Sequence, residues 1–155
     1  MVMCSSINWT IRLATEADVR GAKKIADQCR KELGFVNLAI LKAAQNKDWL
    51  LVSTVWDEGN NIETIVGFVN FRIRRDKNGT LYDIAVQKEY RGKGIGTHLI
   101  NHIIHFVRIA EGQYLRLKCP VGLPANEFYK KYGFNHIEIE AGKTRKLNVW
   151  CNNIQ

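Results

Sequence analysis

The sequence predicts a single α/β domain with a mixed sheet flanked by helices. Short apolar segments alternate with segments whose apolar residues recur at helical spacing, as strands and helices do in such domains. Polar turns at 57–61 and 78–79 join three successive strands, which therefore form an antiparallel meander. A glycine-rich turn at 91–96 then leads into a helix, and the next strand returns parallel to the strand before the turn. At 155 residues the chain has the length of one domain with its own core.

Each element follows from its local pattern. Thr15–Asp18 fits a capping pattern for a first helix that ends near Gly34, and Asn37 is placed to cap a second, short helix. Apolar residues between Ile95 and Ala110 recur at helical spacing and give a third helix one wide apolar face. Apolar runs bounded by turn residues predict the strands. The predicted strands are 11–13, 49–55, 65–73, 81–86, 114–118 and a final hairpin of 134–139 and 146–150, and these three helices are 15–33, 37–44 and 95–110.

The turn Arg91–Gly96 (RGKGIG) carries the clearest chemical signal. Glycines let a ligand approach the backbone closely, and the N–H groups that open a helix need acceptors, so the turn favours a phosphate group. A merely flexible turn is the alternative. Two familiar phosphate-binding motifs do not fit. The P-loop string is absent, and a G-x-G-x-x-G pattern started at Gly92 or Gly94 ends on Thr97 or Leu99.

The composition is that of a globular protein with a basic surplus. Apolar residues make up 46% and charged residues 25%, and the formal net charge is +8. No apolar run approaches the ~20 residues of a membrane span, so we expect a cytoplasmic protein without a membrane partner. The surplus charge suits an anionic cofactor, an acidic partner or nucleic acid. Nucleic acid is not expected, because the basic clusters lack interleaved aromatic residues and are interpreted as solvated faces. These clusters are Lys23–Lys24, Arg30–Lys31, Arg72 with Arg74–Arg75, and Lys130–Lys131.

Neither cysteines nor histidines predict a metal site. The four cysteines are scattered without a C-x-x-C pair, which favours reduced thiols, and Cys119 is interpreted as a buried structural thiol rather than a nucleophile. His98, His102 and His105 fall at i, i+4 and i+7, a spacing that can bind zinc. No carboxylate shares the stripe, so surface histidines are the simpler interpretation, and no metal is predicted.

Three motifs in order resemble those of one enzyme family. R-x-x-G-x-G after a strand resembles the acetyl-CoA signature of the GNAT N-acetyltransferases. Pro124–Phe134 (PANEFYKKYGF) is similar to that family's closing helix, and Ile11–Asp18 resembles its first strand and helix start. The resemblance spans residues 11 to 134. It implies a mostly antiparallel sheet with a splayed central parallel strand pair, in one acetyltransferase domain over 1–155 whose residues 1–8 are expected to be loosely ordered.

The resemblance also implies an activity and its residues. The activity is direct transfer of an acetyl group from acetyl-CoA, as co-substrate, to a primary amine. Tyr129 would give a proton to the coenzyme sulfur, and the Val86 N–H would face the developing oxyanion. N–H groups from Gly92 to Thr97 would hold the pyrophosphate. The implied cofactor-binding residues are Ile84, Ala85, Val86, Arg91, Gly92, Lys93, Gly94, Ile95, Gly96, Thr97, Asn126 and Tyr129.

The sequence departs from the family pattern at two positions. Where the family often has an asparagine seven residues before the tyrosine, this chain has Gly122, and Asn126 is the candidate substitute or a helix-lining residue. Where several relatives carry a glutamate base, this chain has Leu117. Asp83 shares a strand face with Ala85 and is the candidate base, with a solvated carboxylate or a water chain as alternatives.

Other functional readings remain open from the sequence. The missing glutamate and the net charge of +8 favour a non-catalytic binding module on the same fold as the alternative function. Transfer of a longer acyl chain is a third option, and a homodimer is possible. Segments 32–38 and 141–150 are expected to line the acceptor site, but they carry no recognisable specificity pattern.

Overall fold

A computed structural model describes residues 8–154 of the chain. The expected loose order of residues 1–8 lies outside the described residues, apart from Asn8. The fold is a seven-stranded sheet of order β1-β2-β3-β4-β5-β7-β6, in which β4 and β5 are parallel and all other neighbours are antiparallel. The strands are β1 (Trp9–Leu13), β2 (Leu50–Asp57), β3 (Ile62–Ile73), β4 (Gly79–Val86), β5 (Tyr114–Pro120), β6 (Asn135–Ala141) and β7 (Lys146–Asn153). The helices are α1 (Val19–Gln28), α2 (Arg30–Leu33), α3 (Leu38–Asn46), α4 (Ile95–Ile109) and α5 (Ala125–Tyr132).

This architecture confirms the predicted fold class, including the meander and the final hairpin. The first predicted helix is divided, because a 3₁₀ turn at Glu16–Asp18 precedes α1 and the chain breaks at Cys29 before α2. A capping box closes the start of this region, where the Thr15 N–H donates to Asp18 Oδ2 over 2.7 Å. Asn37 caps α3 as predicted, since its side chain accepts from the Ala39 N–H.

Helices cover the two faces of the sheet unequally. On one face, α4 buries residues such as Ile103 and Val107 against strands β2 to β5. On the other face, α1 and α3 cover β2, β3 and the end of β4, with Phe68 and Ala85 in that core. We call these the α4 face and the α1 face. The core on the α1 face includes no residue of β5, β6 or β7, so this half of the sheet has no helix of the described chain packed on its α1 face.

The central parallel pair opens into a fork. β4 and β5 pair only over Gly79–Leu81 and Leu115–Leu117, although β4 runs on to Val86 and β5 to Pro120. The register of β4 against β3 also shifts between Asn70 and Phe71, and such a bulge bends the strand locally. The two strands therefore diverge after their last paired residues. The gap between Tyr82–Val86 and Lys118–Pro120 is called the fork.

Candidate active site

The turn before α4 presents a row of free backbone donors. Gly92 and Gly94 have φ values of 76° and 89°, which glycine adopts without the strain that other residues meet. Within residues 8–154, the backbone N–H groups of 92–97 have no backbone acceptor, and the first hydrogen bond of α4 runs from the His98 N–H to the Gly94 carbonyl at 3.0 Å. These donors lie at the positive end of the α4 dipole, so an anion such as a phosphate group fits there.

Packing explains one further glycine of the motif. A Cβ on Gly96 would lie 3.3 Å from Cζ of Phe128, which is tighter than an ordinary contact. The close approach of α4 and α5 at this point therefore favours glycine.

Arg91 folds back towards the end of β4. Its Nε donates to the Val86 carbonyl over 2.9 Å, and one terminal nitrogen lies 3.4 Å from Cys29 Sγ. The guanidinium thus joins the mouth of the fork to the junction between α1 and α2. The guanidinium charge lies in the same segment as the free amides. It therefore adds positive potential at the anion site even without a direct contact to the ligand.

The register of β4 directs two backbone N–H groups into the fork. Gln87 donates to the Val66 carbonyl over 2.8 Å, and Val86 is aligned with Gly67. Because N–H groups of a strand alternate in direction, the N–H groups of Val86 and Ile84 point away from β3 and towards β5. Pairing with β5 has already ended at Leu81, so these groups face the fork. Ala85 between them is buried in the core on the α1 face.

Tyr129 closes the α4 side of the fork. Its side chain is 5% exposed and packs edge-on against the rings of Phe128 and Phe134. Burial raises the pKa of the phenol, and the nearby Cys119 and Asp83 raise it further. Within residues 8–154 the Tyr129 hydroxyl forms no side-chain hydrogen bond, and it is not among the polar atoms that are completely buried without a partner. The phenol is therefore neutral at physiological pH and able to donate.

Asp83 lies on the opposite side of the same gap. It is aligned with Asn70, whose Nδ2 donates to Asp83 Oδ2 over 3.3 Å. Burial raises the pKa of the carboxyl, and the Asn70 hydrogen bond offsets part of that rise. A carboxylate whose pKa is raised towards neutrality is a better proton acceptor than an exposed one.

Asn126 links the end of β5 to β7 through side-chain hydrogen bonds. Its Nδ2 donates to the carbonyls of Pro120 and Leu123, and its Oδ1 accepts from Asn148 Nδ2 and Trp150 Nε1, both over 3.0 Å. All four bonds that an amide side chain can make are thus formed within the protein. A contact between Asn126 and the cofactor stays a prediction, and it would require one of these bonds to break.

Cysteine and histidine side chains near the site have structural partners. Cys119 is buried, and desolvation raises the pKa of its thiol to about 11, which keeps it protonated. The Nδ1 atoms of His98 and His102 each lie 2.8 Å from the carbonyl one turn earlier in the chain. Over residues 8–154 no group of three or more histidine, cysteine or acidic residues could hold a metal ion.

Sequence analysis missed a groove on the uncovered α1 face. It has a volume of about 770 Å³ and begins at Leu81 and Leu117, the residues at which the fork opens. Arg72, whose cluster is interpreted from the sequence as solvated surface, lies along it together with Arg116 and Lys118. Only the cross-strand register brings them together, and no contiguous motif could have shown this. The remaining lining residues are Arg74, Arg75, Asp76, Thr80, Tyr82, Glu138, Glu140 and Val149.

The segments expected to line the acceptor site differ in character. Phe35 in the loop before α3 is 65% exposed, with Lys23 Nζ 4.4 Å from the centre of its ring. Trp150, in contrast, is 6% exposed and belongs to the core on the α4 face. Its indole is turned towards Asn126, so it shapes the fork from within.

Comparison with known proteins places the chain among acetyltransferases. The family profile described as "Acetyltransferase (GNAT) family" matches residues 37–134. The L-2,4-diaminobutyric acid acetyltransferase of Virgibacillus pantothenticus is 35% identical over 90 residues, which cover 56% of this chain and 50% of that protein. The match therefore spans half the length of that relative.

Solved structures share the fold at low sequence identity. Ard1 from Thermoplasma volcanium superposes with a TM-score of 0.80 at 21% identity, covering 95% of this chain and 98% of that one. An acetyltransferase of Salmonella typhimurium with its cofactor acetyl-CoA superposes with a TM-score of 0.71 at 20% identity, covering 96% of this chain and 95% of that one.

In the part of the chain that the structure describes, no helix is both long and apolar enough to span a membrane.

Proposed function

The chain belongs to the acetyltransferase (GNAT) family, and we propose that it transfers the acetyl group of acetyl-CoA directly to a primary amine. One observation carries the proposal: the unbonded amides of 92–97 and the Tyr129 hydroxyl, which has no side-chain hydrogen-bond partner among the described residues, lie at the same fork. A phosphate site and a proton donor at one opening are the two parts that a coenzyme A thioester needs. The Salmonella typhimurium neighbour with acetyl-CoA supports the choice of co-substrate.

The backbone supplies the binding groups. The N–H groups of 92–97 would hold the pyrophosphate, and Arg91 would add positive potential beside them. The thioester supplies an activated acyl group when bound. The Val86 N–H, which points into the fork, would donate to its carbonyl oxygen as negative charge develops there.

Tyr129 would act as the hydrogen-bond donor to the leaving group, and Asp83 as the proton acceptor. The neutral Tyr129 hydroxyl is placed to donate a hydrogen bond to the sulfur as it becomes a thiolate. Because the pKa of this phenol is raised well above that of a thiol, hydrogen bonding is favoured over complete proton transfer, and solvent can supply the final proton. Asp83 would take the proton that the amine loses, directly or through one water.

A panel of candidate amines would test the identity of the acceptor. The relative from Virgibacillus pantothenticus is named for a diamino acid, so amino acids with a second amine belong in that panel beside short peptides and simple diamines. Because the match spans only half of that relative, its substrate is a starting point and not an assignment.

The test measures acetyl-CoA binding and turnover separately. Acetyl-CoA should raise the melting temperature, since a ligand that binds only the native state stabilises it by mass action. Release of the free thiol should then depend on an amine from the panel. Binding without turnover on any amine would favour the non-catalytic module, and no shift at about millimolar acetyl-CoA would contradict the whole proposal.

The same assay separates acetyl from longer acyl donors. Acetyl-CoA and longer acyl-CoA thioesters would be compared on one acceptor, and we expect acetyl-CoA to be preferred. The oligomeric state and a cytoplasmic location remain predictions, which size-exclusion chromatography and cell fractionation would test.

A further inference from the structure

We propose that Arg72, Thr80 and Arg116 form a carboxylate subsite, so that the acceptor is an amine bearing a carboxylate about 7–10 Å from its reacting nitrogen. This inference rests on the proposed function and names the substrate class of the same site.

The register places the three residues in one row across the sheet. Arg72 is aligned with Thr80, and Thr80 with Arg116, on strands β3, β4 and β5. Aligned residues on neighbouring strands project from the same face, so the two arginines flank Thr80 in the groove. Their Cα atoms are about 10 Å apart, which is twice the spacing of adjacent strands. A carboxylate above Thr80 would lie between the two arginines and beside the hydroxyl.

Both guanidinium groups are positioned by aromatic rings and not by acids. Arg72 Cζ lies 5.4 Å from the centre of the Trp49 ring, and Arg116 Cζ lies 5.0 Å from that of Tyr114. Neither arginine forms an ion pair with an acidic residue within residues 8–154. A ring contacts the face of a guanidinium and leaves its in-plane N–H donors open, which are the donors that bind a carboxylate.

Two of the other three cations of the groove are already compensated, and Arg75 is the remaining one. Lys118 Nζ lies 2.6 Å from Glu140 Oε1, and an Arg74 nitrogen lies 3.8 Å from Asp76 Oδ2. The groove thus contains three acidic side chains, those of Asp76, Glu138 and Glu140, among its basic ones. This mixture disfavours a polyanion such as nucleic acid. The arrangement suits a ligand with one localised negative group.

The two ends of the groove differ in charge. Glu138 is aligned with Val149, and Val149 with Lys118, so the carboxylate of Glu138 lies at the end of the groove where the fork begins. Arg116 lies two residues further from the fork, about 7 Å along the strand. A cationic amine is therefore favoured at the fork and a carboxylate at the arginines. Asp83, the proposed base, is three residues from Thr80 on β4, which gives the separation of about 7–10 Å.

Peptides of graded length test the subsite through binding, without the need for turnover. Three extended residues span at most about 10 Å, so trialanine matches the predicted separation and alanine is too short. We expect calorimetry on the CoA-loaded protein to show trialanine binding at least about tenfold tighter than trialaninamide, because a charged hydrogen bond is lost on amidation. Equal affinities, or no detectable binding of either peptide, would overturn the subsite.

Variants locate the effect at the arginines. Arg116→Gln should weaken trialanine binding about tenfold or more and leave trialaninamide within about threefold, so that the preference disappears. Arg72→Gln should also weaken trialanine binding. It tests the subsite independently if the Arg116 variant fails to fold. Arg108→Gln is the matched control, because it removes the same charge from the exposed end of α4. A preference that survives both groove variants would overturn the assignment.

Turnover distinguishes this inference from the proposed function. If amines are acetylated but acids and amides are used equally well, the subsite is wrong and the acetyltransferase stands. If no amine is acetylated while trialanine still binds through Arg116, the subsite stands and the catalytic proposal fails.

Discussion

The fork and the groove share strands β4 and β5, yet they are built from different chemical groups. The fork is made of backbone groups and buried side chains, with free amides at 92–97 and the saturated amide of Asn126. The groove is made of exposed charged side chains on Arg72 and Arg116, which rest on aromatic rings. Backbone donors recognise a group common to all coenzyme A thioesters, whereas side chains can differ between acceptors. Substitutions in the two regions should therefore have effects of different size and kind.

The largest effect is expected in the amide row. Gly94→Asp should abolish the rise in melting temperature that acetyl-CoA produces, because a carboxylate would face the pyrophosphate and a positive φ of 89° would be imposed on a residue with a side chain. Thermal melting with and without acetyl-CoA measures this. Gly34→Asp is the control, since Gly34 has a φ of 73° and open space around it. Equal loss of binding in both variants would assign the effect to general destabilisation.

Tyr129→Phe should lower kcat about 100-fold and leave acetyl-CoA affinity within a few-fold. The substitution removes only the hydroxyl proposed to donate to the leaving sulfur. Tyr132→Phe on the same helix is the matched control, because its hydroxyl bonds to Asn101 and takes no part in the proposed chemistry. Unchanged turnover in the Tyr129 variant would assign that residue to packing.

Asn126→Ala should lower the free energy of unfolding by about 2 kcal/mol, because the Trp150 N–H and neighbouring carbonyls lose their partner in a half-buried place. Chemical denaturation measures the change. Asn135→Ala, at an exposed position of β6, should cost less than about 0.5 kcal/mol. A small effect at Asn126 would mean that its bonds are replaced by water, and a cofactor contact would then be easier to form.

Asp83→Asn should depress the rate about tenfold at neutral pH, with recovery as the pH rises and the amine deprotonates by itself. The pKa of Asp83 is raised in the folded protein, so the native state binds the proton more strongly than the unfolded chain. Its contribution to stability is present at low pH and is lost as the pH rises through the folded pKa. The variant should lack this loss. Parallel pH–rate profiles in both proteins would make Asp83 structural.

The sequence predicted the fold and the fork better than the groove for a physical reason. Helical spacing, the turn 78–79 and the motif 91–96 are local signals, so the meander, α4 and the amide row could be recognised in the chain alone. The raised pKa of Asp83 depends on burial by distant segments and could not be predicted. Arg72 and Arg116 are 44 positions apart in the chain, and only the alignment of both with Thr80 makes them neighbours.

The smallest effect on stability is expected in the groove. Arg72→Gln and Arg116→Gln should each change the free energy of unfolding by less than about 0.5 kcal/mol, because both residues are exposed and neither forms an ion pair with an acid of the described chain. Arg12→Gln is the contrasting control, since Arg12 binds both Asp18 and Glu63 at 2.6 Å and should cost more. Denaturant unfolding of the three variants measures the difference. A groove variant as destabilising as Arg12→Gln would mean that the arginine supports the sheet, and its effect on acceptor binding could no longer be attributed to a lost carboxylate contact.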